Sequence, residues 1–333
     1  MKDFNKIFTQ MDENYHKIIK FVTPISDSDI ELFESFFAQP VIKPINKFRL
    51  NFEDSFEYIR MYFNSGRFSG FKFYDNNSLI IFAIEKKKKL HFKVLKPFGP
   101  NSIQKLVEII KVLSYQTKFP VQVVCLNNDQ LKALKNSSEL ILTNIKEFNY
   151  YIYDLKTLND LHGNCWKNVR QKVTAFNSNY PKNKFKIERL NLDNCRETVH
   201  FIGGWRRELI ARRELSYANL EKNKFAAQYF ADKNDFDHIW STVYRHRGSV
   251  VAFQLLYRLG PTAAGHAIGL ADTNIKGLAE ASQVDIWKQV YNCGIRFIND
   301  GPSWRPGLER YKKKFNPLLI QKVYECKVKS IDL

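Results

Sequence analysis

The element order from Ile239 to the C-terminus constrains this chain most. Ile239–Tyr244, Ser249–Leu256 and Ala263–Leu270 read as three strands in succession. An amphipathic helix, Gly277–Tyr291, follows, then a strand Ile295–Asn299, a short basic helix Leu308–Phe315 and a last strand Leu319–Cys326. Strands broken by helices in this order imply an α/β (α+β) chain with a mixed, mostly antiparallel central sheet flanked by helices. Upstream, Phe148–Asp154 is a tyrosine-dense strand. Asn164–Asn179 is a basic amphipathic helix, because Trp166, Val169, Val173 and Phe176 recur at helical spacing. Phe185–Leu190 alternates like a strand, and helices are expected from Asn194 to about Leu215 and over Glu221–Ala231.

The N-terminal part shows a similar mixture. Ser26-Asp27-Ser28-Asp29 offers N-cap residues to a helix Ile30–Phe37. Gly70–Tyr74, Leu79–Ile84 and Leu90–Leu95 form an expected meander, with turns at Asp75-Asn76-Asn77 and at Lys86–Lys89. Asn101 or Ser102 caps a helix to about Gln116, and Val121–Cys125 is a further strand. With 333 residues, 44% hydrophobic and 27 Phe, the chain can bury the cores of two domains, expected at 1–147 and 148–333.

Charge and cysteines narrow the partners and the compartment. Lys and Arg number 52 against 34 Asp and Glu, a net charge of +18. Residues 151–333 hold 30 basic and 18 acidic residues, an excess of 12, so the second part is the one expected to face an anion such as tRNA or an anionic lipid surface. The longest apolar run, Leu79–Ile84, is strand-sized, so no transmembrane segment is expected, and the N-terminus lacks the apolar stretch of a signal peptide. Cys125, Cys165, Cys195, Cys293 and Cys326 are odd in number and scattered, with no CxxC. These features point to a cytoplasmic protein, with a peripheral place at the inner membrane surface open to it. The oligomeric state is not legible.

Two stretches have the residue types for chemistry. The first, Asp272–Glu280, joins a small-residue strand ending at Leu270 to a helix. Glycine at a helix start lets a backbone approach a ligand, and the free amides there attract anions. Lys276 adds a charge. Asn274, Gly277 and Ala279 fill slots that resemble the pyrophosphate signature of GCN5-related acetyltransferases, (Gln/Arg)-x-x-Gly-x-(Gly/Ala), with Asn in place of the first residue. That resemblance implies a cofactor-binding role for Leu270, Asn274, Lys276, Gly277 and Ala279. An ordinary close-packed helix start remains the alternative.

The second stretch is Phe297–Pro317: a strand, a Gly- and Pro-rich turn, then a basic helix stopped by Asn316-Pro317. Gly307, Leu308, Lys312, Phe315 and Pro317 fill the pattern Gly-Leu-x-x-x-Lys-x-x-(Phe/Tyr)-x-Pro, and Asp154-Leu155, Leu161-His162-Gly163 and Arg170 precede it in matching order. This resembles the phosphatidylglycerol lysyltransferase C-terminal family over about residues 150–328. The resemblance implies two GCN5-related acyltransferase-like lobes, the N-terminal one a degenerate copy and the C-terminal one active. It also implies acyl or aminoacyl transfer to an amine or hydroxyl, with acyl-CoA or aminoacyl-tRNA as co-substrate and no tightly bound cofactor. Direct attack needs orientation, a cation or amide for the oxyanion and a base. Asp300 is the candidate to position or deprotonate the nucleophile, Lys312 to meet a phosphate or the oxyanion, and Tyr311 to protonate the leaving group. Asn299, Trp304, Arg305 and Arg310 are candidate substrate contacts.

A basic stripe, Trp205–Glu214, adds Arg206 and Arg213 as candidate phosphate contacts, with Arg170 beside them and Trp205 as a stacking face. Self-paired charges on a solvated face are the alternative, since Glu208 and Glu214 lie in the same stripe. The seven histidines show no metal-ligand spacing, so no metal is expected, and there is no Walker loop or nucleophile elbow. His266, in an apolar strand, reads as a core or pocket-wall residue. A second class stays open: a non-catalytic RNA- or anionic-membrane-surface-binding protein built on a degenerate acyltransferase fold.

Overall fold

The structure, a computed structural model, describes residues 21–37, 50–63, 68–85, 91–116, 120–158, 161–181, 184–211, 217–231, 238–303 and 305–331. The expected Lys86–Lys89 turn, Arg213 and Trp304 lie outside the described residues. In chain order the elements begin β1 (Val22–Pro24), α1 (Ile30–Phe36), α2 (Phe56–Phe63), β2 (Phe68–Tyr74), β3 (Leu79–Glu85) and β4 (Phe92–Leu95). Next come α3 (Ser102–Gln116), β5 (Val121–Leu126), α4 (Asn128–Lys135), β6 (Leu140–Asp154), α5 (Leu155–Leu158) and α6 (Lys167–Asn179). Then follow β7 (Phe185–Glu188), α7 (Leu192–Ala211), α8 (Tyr217–Ala231), β8 (Ile239–His246), β9 (Ser249–Gly260) and β10 (Ala263–Ala271). The chain closes with α9 (Leu278–Asn292), β11 (Phe297–Pro302), α10 (Pro306–Lys313) and β12 (Leu319–Ser330).

These elements divide into two units. The first takes the described residues of 1–38, 62–148 and 322–333, and the second those of 39–61 and 149–321. The two units differ from the division expected at 147/148 in two places: the described residues 50–61 group with the second unit, and Lys322–Ser330, most of β12, with the first. A strand is assigned by the ladder it joins, which position along the chain does not reveal.

In the first unit β2, β3 and β4 pair antiparallel around the Asp75–Asn77 turn, where Asn76 adopts φ 69 and Asp75 Oδ1 accepts from the amides of Asn77 and Ser78. Helix α3 crosses over, so β5 returns parallel to β4. The apolar stripe of α3, Leu106, Ile109, Ile110 and Leu113, packs on Phe71, Phe82, Val94 and Val123. Every residue of β3 is buried, as expected for a continuous apolar run. Helix α4, unforeseen in the sequence, starts at a capping box in which Asn127 and Gln130 exchange side-chain and backbone hydrogen bonds.

In the second unit the strand order is end of β6, β11, β10, β9, β8, β7. β7 to β10 pair antiparallel, β10 and β11 parallel, and β11 antiparallel to β6. Trp166, Val169 and Phe176 are buried, so the helical spacing of α6 placed its apolar face correctly. Tyr151, Tyr153, Trp240, Leu256, Trp287 and Phe315 form one core with Trp166 and Val169, each fully buried large side chain contributing about 1.5–3 kcal/mol, and Phe176 packs in a second cluster with Tyr244, Val251 and Leu278.

Candidate active site

The parallel pairing of β10 with β11 is short. Ala263, Ala264 and Gly265 face Phe297, Ile298 and Asn299, and the ladder stops there although β10 continues to Ala271. The cause lies in β11. Its register against β6 slips between Asn299 and Pro302, and Gly301 takes φ +63, a left-handed conformation that favours glycine. Asn299, fully buried, fastens this bulge: its Oδ1 accepts from the Gly301 amide at 2.8 Å and its Nδ2 donates to the Leu50 carbonyl at 2.6 Å. β11 was expected to end at Asn299. Instead it runs on to Pro302, bent away from β10.

Lys312 holds the same bend from below. Its ammonium donates to the carbonyls of Asp300, Gly301 (3.1 Å) and Pro302 (3.3 Å) and lies 3.6 Å from Asp300 Oδ2. Burial lowers the pKa of this amine, while the Asp300 carboxylate opposes the shift. Asp300, 10% exposed at its side chain, points across the opened strands to His266, whose Nδ1 lies 3.2 Å from Asp300 Oδ1. That contact has ion-pair distance but lacks hydrogen-bond alignment. His266 Nε2 lies 2.9 Å from Gln254 Oε1 and 3.1 Å from the Ile268 carbonyl, two acceptors to which an Nε2 proton would be donated. Gln254 in turn donates to Ser282 Oγ at 2.8 Å. A carboxylate thus sits at the fork between a lysine and a histidine. Sequence reading left His266 as a wall residue. The signal it lacked was register, since Gly265 opposite Asn299 brings residues 266 and 300 together.

The other expected contacts divide. Tyr311 donates to the Ala279 carbonyl at 3.1 Å and the Gln283 side chain at 2.9 Å, and burial raises its pKa well above the tyrosine range, helped by the Glu280 and Asp300 charges. Its hydroxyl therefore joins α10 to the first turn of α9, a packing task. Lys314 adds an ion pair to Glu280 at the same junction. Gly277 starts α9 at φ +85, and a Cβ there would lie 2.6 Å from the Lys172 carbonyl. This glycine makes room for α6, so the close-packed helix start is what the structure shows at Gly277. Leu270 is buried, Ala279 half-buried, and Asn274 and Lys276 exposed; Asn274 donates its amide to Asp272 Oδ1. Arg310 is exposed and Arg305 half-buried at the start of α10, while Arg206 is described only in its backbone. The Arg170 guanidinium is engaged by the carbonyls of Leu161 and Gly163, which makes it a fastener of that turn.

A two-unit chain whose second unit opens a parallel strand pair between β10 and β11 belongs to the GCN5-related acyltransferase class of folds. The family model for the phosphatidylglycerol lysyltransferase C-terminal region matches residues 60–327, and the chain belongs to that family. A search of curated protein sequences found no match. Among solved structures, a conserved protein of unknown function from Bacteroides thetaiotaomicron is similar at TM-score 0.70 and 16% identity, covering 92% of this chain and 99% of that one. The L-PGS structure from Bacillus licheniformis is similar at TM-score 0.57 and 15% identity, with 91% of each chain covered. A tandem GNAT protein from the clavulanic acid biosynthesis pathway gives 0.55 at 8% identity, covering 93% and 98%. The doubled lobe architecture is thereby shown, and the family supports acyl or aminoacyl transfer in general. Among the described residues no helix is long and apolar enough to cross a membrane.

Proposed function

We propose that the second unit transfers an aminoacyl group from aminoacyl-tRNA to an amine or hydroxyl acceptor by direct attack between β10 and β11. The observation that carries this is Asp300, held at the fork with His266 on one side and Lys312 on the other. Beyond Gly265 no ladder joins β10 to β11, so backbone amides of β10 are available to orient the donor and meet the oxyanion. The acceptor nitrogen or oxygen forms a bond to the ester carbonyl carbon, and the bond from that carbon to the ribose oxygen breaks. Asp300 takes the acceptor's proton and returns it to the ribose oxygen as the ester bond breaks, so the step is proton-neutral. Lys312 positions Asp300 from 3.6 Å; Tyr311 keeps α10 against α9. Acyl-CoA is the weaker donor candidate because Gly277, the residue that would let a pyrophosphate approach, is occupied by the packing of α6. The acceptor class includes a lipid headgroup, reached from a peripheral position at the inner membrane surface.

The donor test is direct. Protein incubated with a pool of tRNA charged with labelled amino acids and with phosphatidylglycerol vesicles should yield a labelled lipid or small-molecule product, and prior RNase should abolish it. A rise in melting temperature with CoA, with labelling indifferent to RNase, would assign the acyl-CoA donor instead. A non-catalytic RNA- or membrane-binding role is favoured by one observation, the commitment of Tyr311 and Lys312 to packing. Under that reading Asp300→Asn changes nothing.

A further inference from the structure

Behind Asp300 runs a hydrogen-bond chain whose direction is set from its far end. Ser282 Oγ in α9 donates to the Ala279 carbonyl at 3.3 Å, so toward Gln254 of β9 it is an acceptor. The Gln254 amide therefore turns its nitrogen to Ser282, at 2.8 Å, and its Oε1 to His266 Nε2, at 2.9 Å. A second acceptor, the Ile268 carbonyl, lies 3.1 Å from the same ring nitrogen. Two local devices bring these atoms together. The register of β10 against β9 slips between His266 and Ile268. Gly269, paired with Gln254, leaves open the space where a Cβ would lie 3.0 Å from Gln254 Oε1 and 3.1 Å from His266 Nε2. On the other side of the ring, Nδ1 lies 3.2 Å from Asp300 Oδ1 without hydrogen-bond alignment. Asp300, from β11, is the charged group at the ring. Beyond it stand Lys312 of α10, 3.6 Å from its other oxygen, and Tyr153 and Tyr311, which feel its charge; α9 presents the Trp287 ring at 6.0 Å.

We propose that Gln254 is a positioning residue for the transfer step: it holds His266 with the ring proton on Nε2, which turns the Nδ1 lone pair to Asp300. The inference deepens the reading of Asp300 as the base and rests on it. In the resting site no proton lies between Oδ1 and Nδ1, which fits the unaligned contact. When the N–H or O–H bond of the acceptor breaks, an O–H bond forms on Asp300, and Nδ1 accepts a hydrogen bond from it. The proton passes from Asp300 to the ribose oxygen as the ester bond breaks, and the ring ends as it began. The opposite tautomer does the opposite. With the proton on Nδ1, the ring would donate to the ionised carboxylate and make it a weaker base. It would also leave a bare Nε2 lone pair against two acceptor oxygens in a buried site.

The test is nitrogen NMR of the full chain carrying 15N-labelled histidine at about pH 8, with the His266 signals identified by their loss in His266→Gln. The expected spectrum has a proton-bearing Nε2 and a lone-pair Nδ1. Gln254→Met removes the amide acceptor at similar size. In it the ring should shift toward Nδ1–H, and kcat for transfer should fall about 10- to 100-fold at unchanged KM. Gln254→Glu keeps an oxygen at Nε2 and should restore the Nε2–H ring and most of the rate, with melting temperatures checked for each. A Gln254 that serves packing alone would move the melting temperature and leave the ring signals in place, which overturns the proposal. Nδ1–H in the unaltered protein overturns it as well, and so does a ring protonated on both nitrogens, since Nδ1 then has no lone pair to offer. If the Nε2–H ring is present, and lost in Gln254→Met, in a protein that shows no transfer from charged tRNA, the hold of Gln254 on His266 stands and the transfer reading alone fails.

Discussion

Each unit contains a strand–helix–strand crossover whose two strands pair in parallel, and the two end differently. In the first unit β4 and β5 pair over Lys93–Leu95 and Gln122–Val124, and the Lys96 amide carries the ladder one bond further to the Val124 carbonyl. The pair is sealed, and Val94 and Val123 sit fully buried in an apolar cluster. In the second unit the ladder stops at Gly265, and the next residue, His266, faces Asp300 and through it Lys312. One crossover thus continues its ladder over an apolar cluster, and the other stops its ladder where a carboxylate, an imidazole and an amine meet. Keeping a carboxylate, an imidazole and an amine in a low-dielectric site costs stability unless they satisfy one another.

The comparison breaks first at Lys312. Lys312→Met should cost about 3–5 kcal/mol in urea denaturation, because it leaves the Asp300 charge and the bulge carbonyls without their cation; a cost under about 1 kcal/mol would mean that the bend stands without it. Leu106→Ala, in the apolar cluster of the first unit, should cost about 2–5 kcal/mol by the same method, and transfer per folded molecule should hold. Gly277→Ala should lose more than about 1 kcal/mol through φ +85 and the Lys172 carbonyl, read as a lowered melting temperature. The smallest effect is alkaline. Burial pushes the Cys326 thiol of the first unit up to about 12 from 9.0, and burial raises Tyr153 and Tyr311 of the second well above 10. The unfolded chain then loses these protons before the folded one, so stability falls as pH rises above 9. Lys312, lowered from 10.5 by burial, contributes the opposite slope. Urea midpoints at pH 8 and pH 10 should show a net decrease, since the raised groups outnumber the lowered one.

Much of the fold was legible because periodicity and turn chemistry are local. Helix α3 ends at Gln116 as its apolar stripe predicts, and α9 and the β8–β10 run fall within a few residues of expectation. α2 and the first half of β6 were missed: Phe56, Ile59 and Phe63 of α2 do recur at helical spacing and are buried, whereas residues 141–147 of β6 are mostly exposed and keep no strict alternation. Two members of the site, Asp300 and Lys312, could be read from motif spacing, yet the roles assigned to them shifted with geometry. Lys312 is spent on carbonyls, and Tyr311 on a helix junction, because both sit on the buried side of α10. His266 was passed over because its partner is 34 positions away and meets it only through a parallel register that a bulge then opens. Long-range pairing of that kind leaves no trace in local composition.

The most direct trial of the account is the rate of aminoacyl transfer per folded molecule in Asp300→Asn, set beside its melting temperature. The amide keeps the shape of the carboxylate and loses its charge and basicity. A fall of about 10²–10⁴-fold with the melting temperature nearly unchanged is the predicted result. A rate that stays near that of the unaltered protein would contradict the claim that the strand fork of the second unit is where the bond is made.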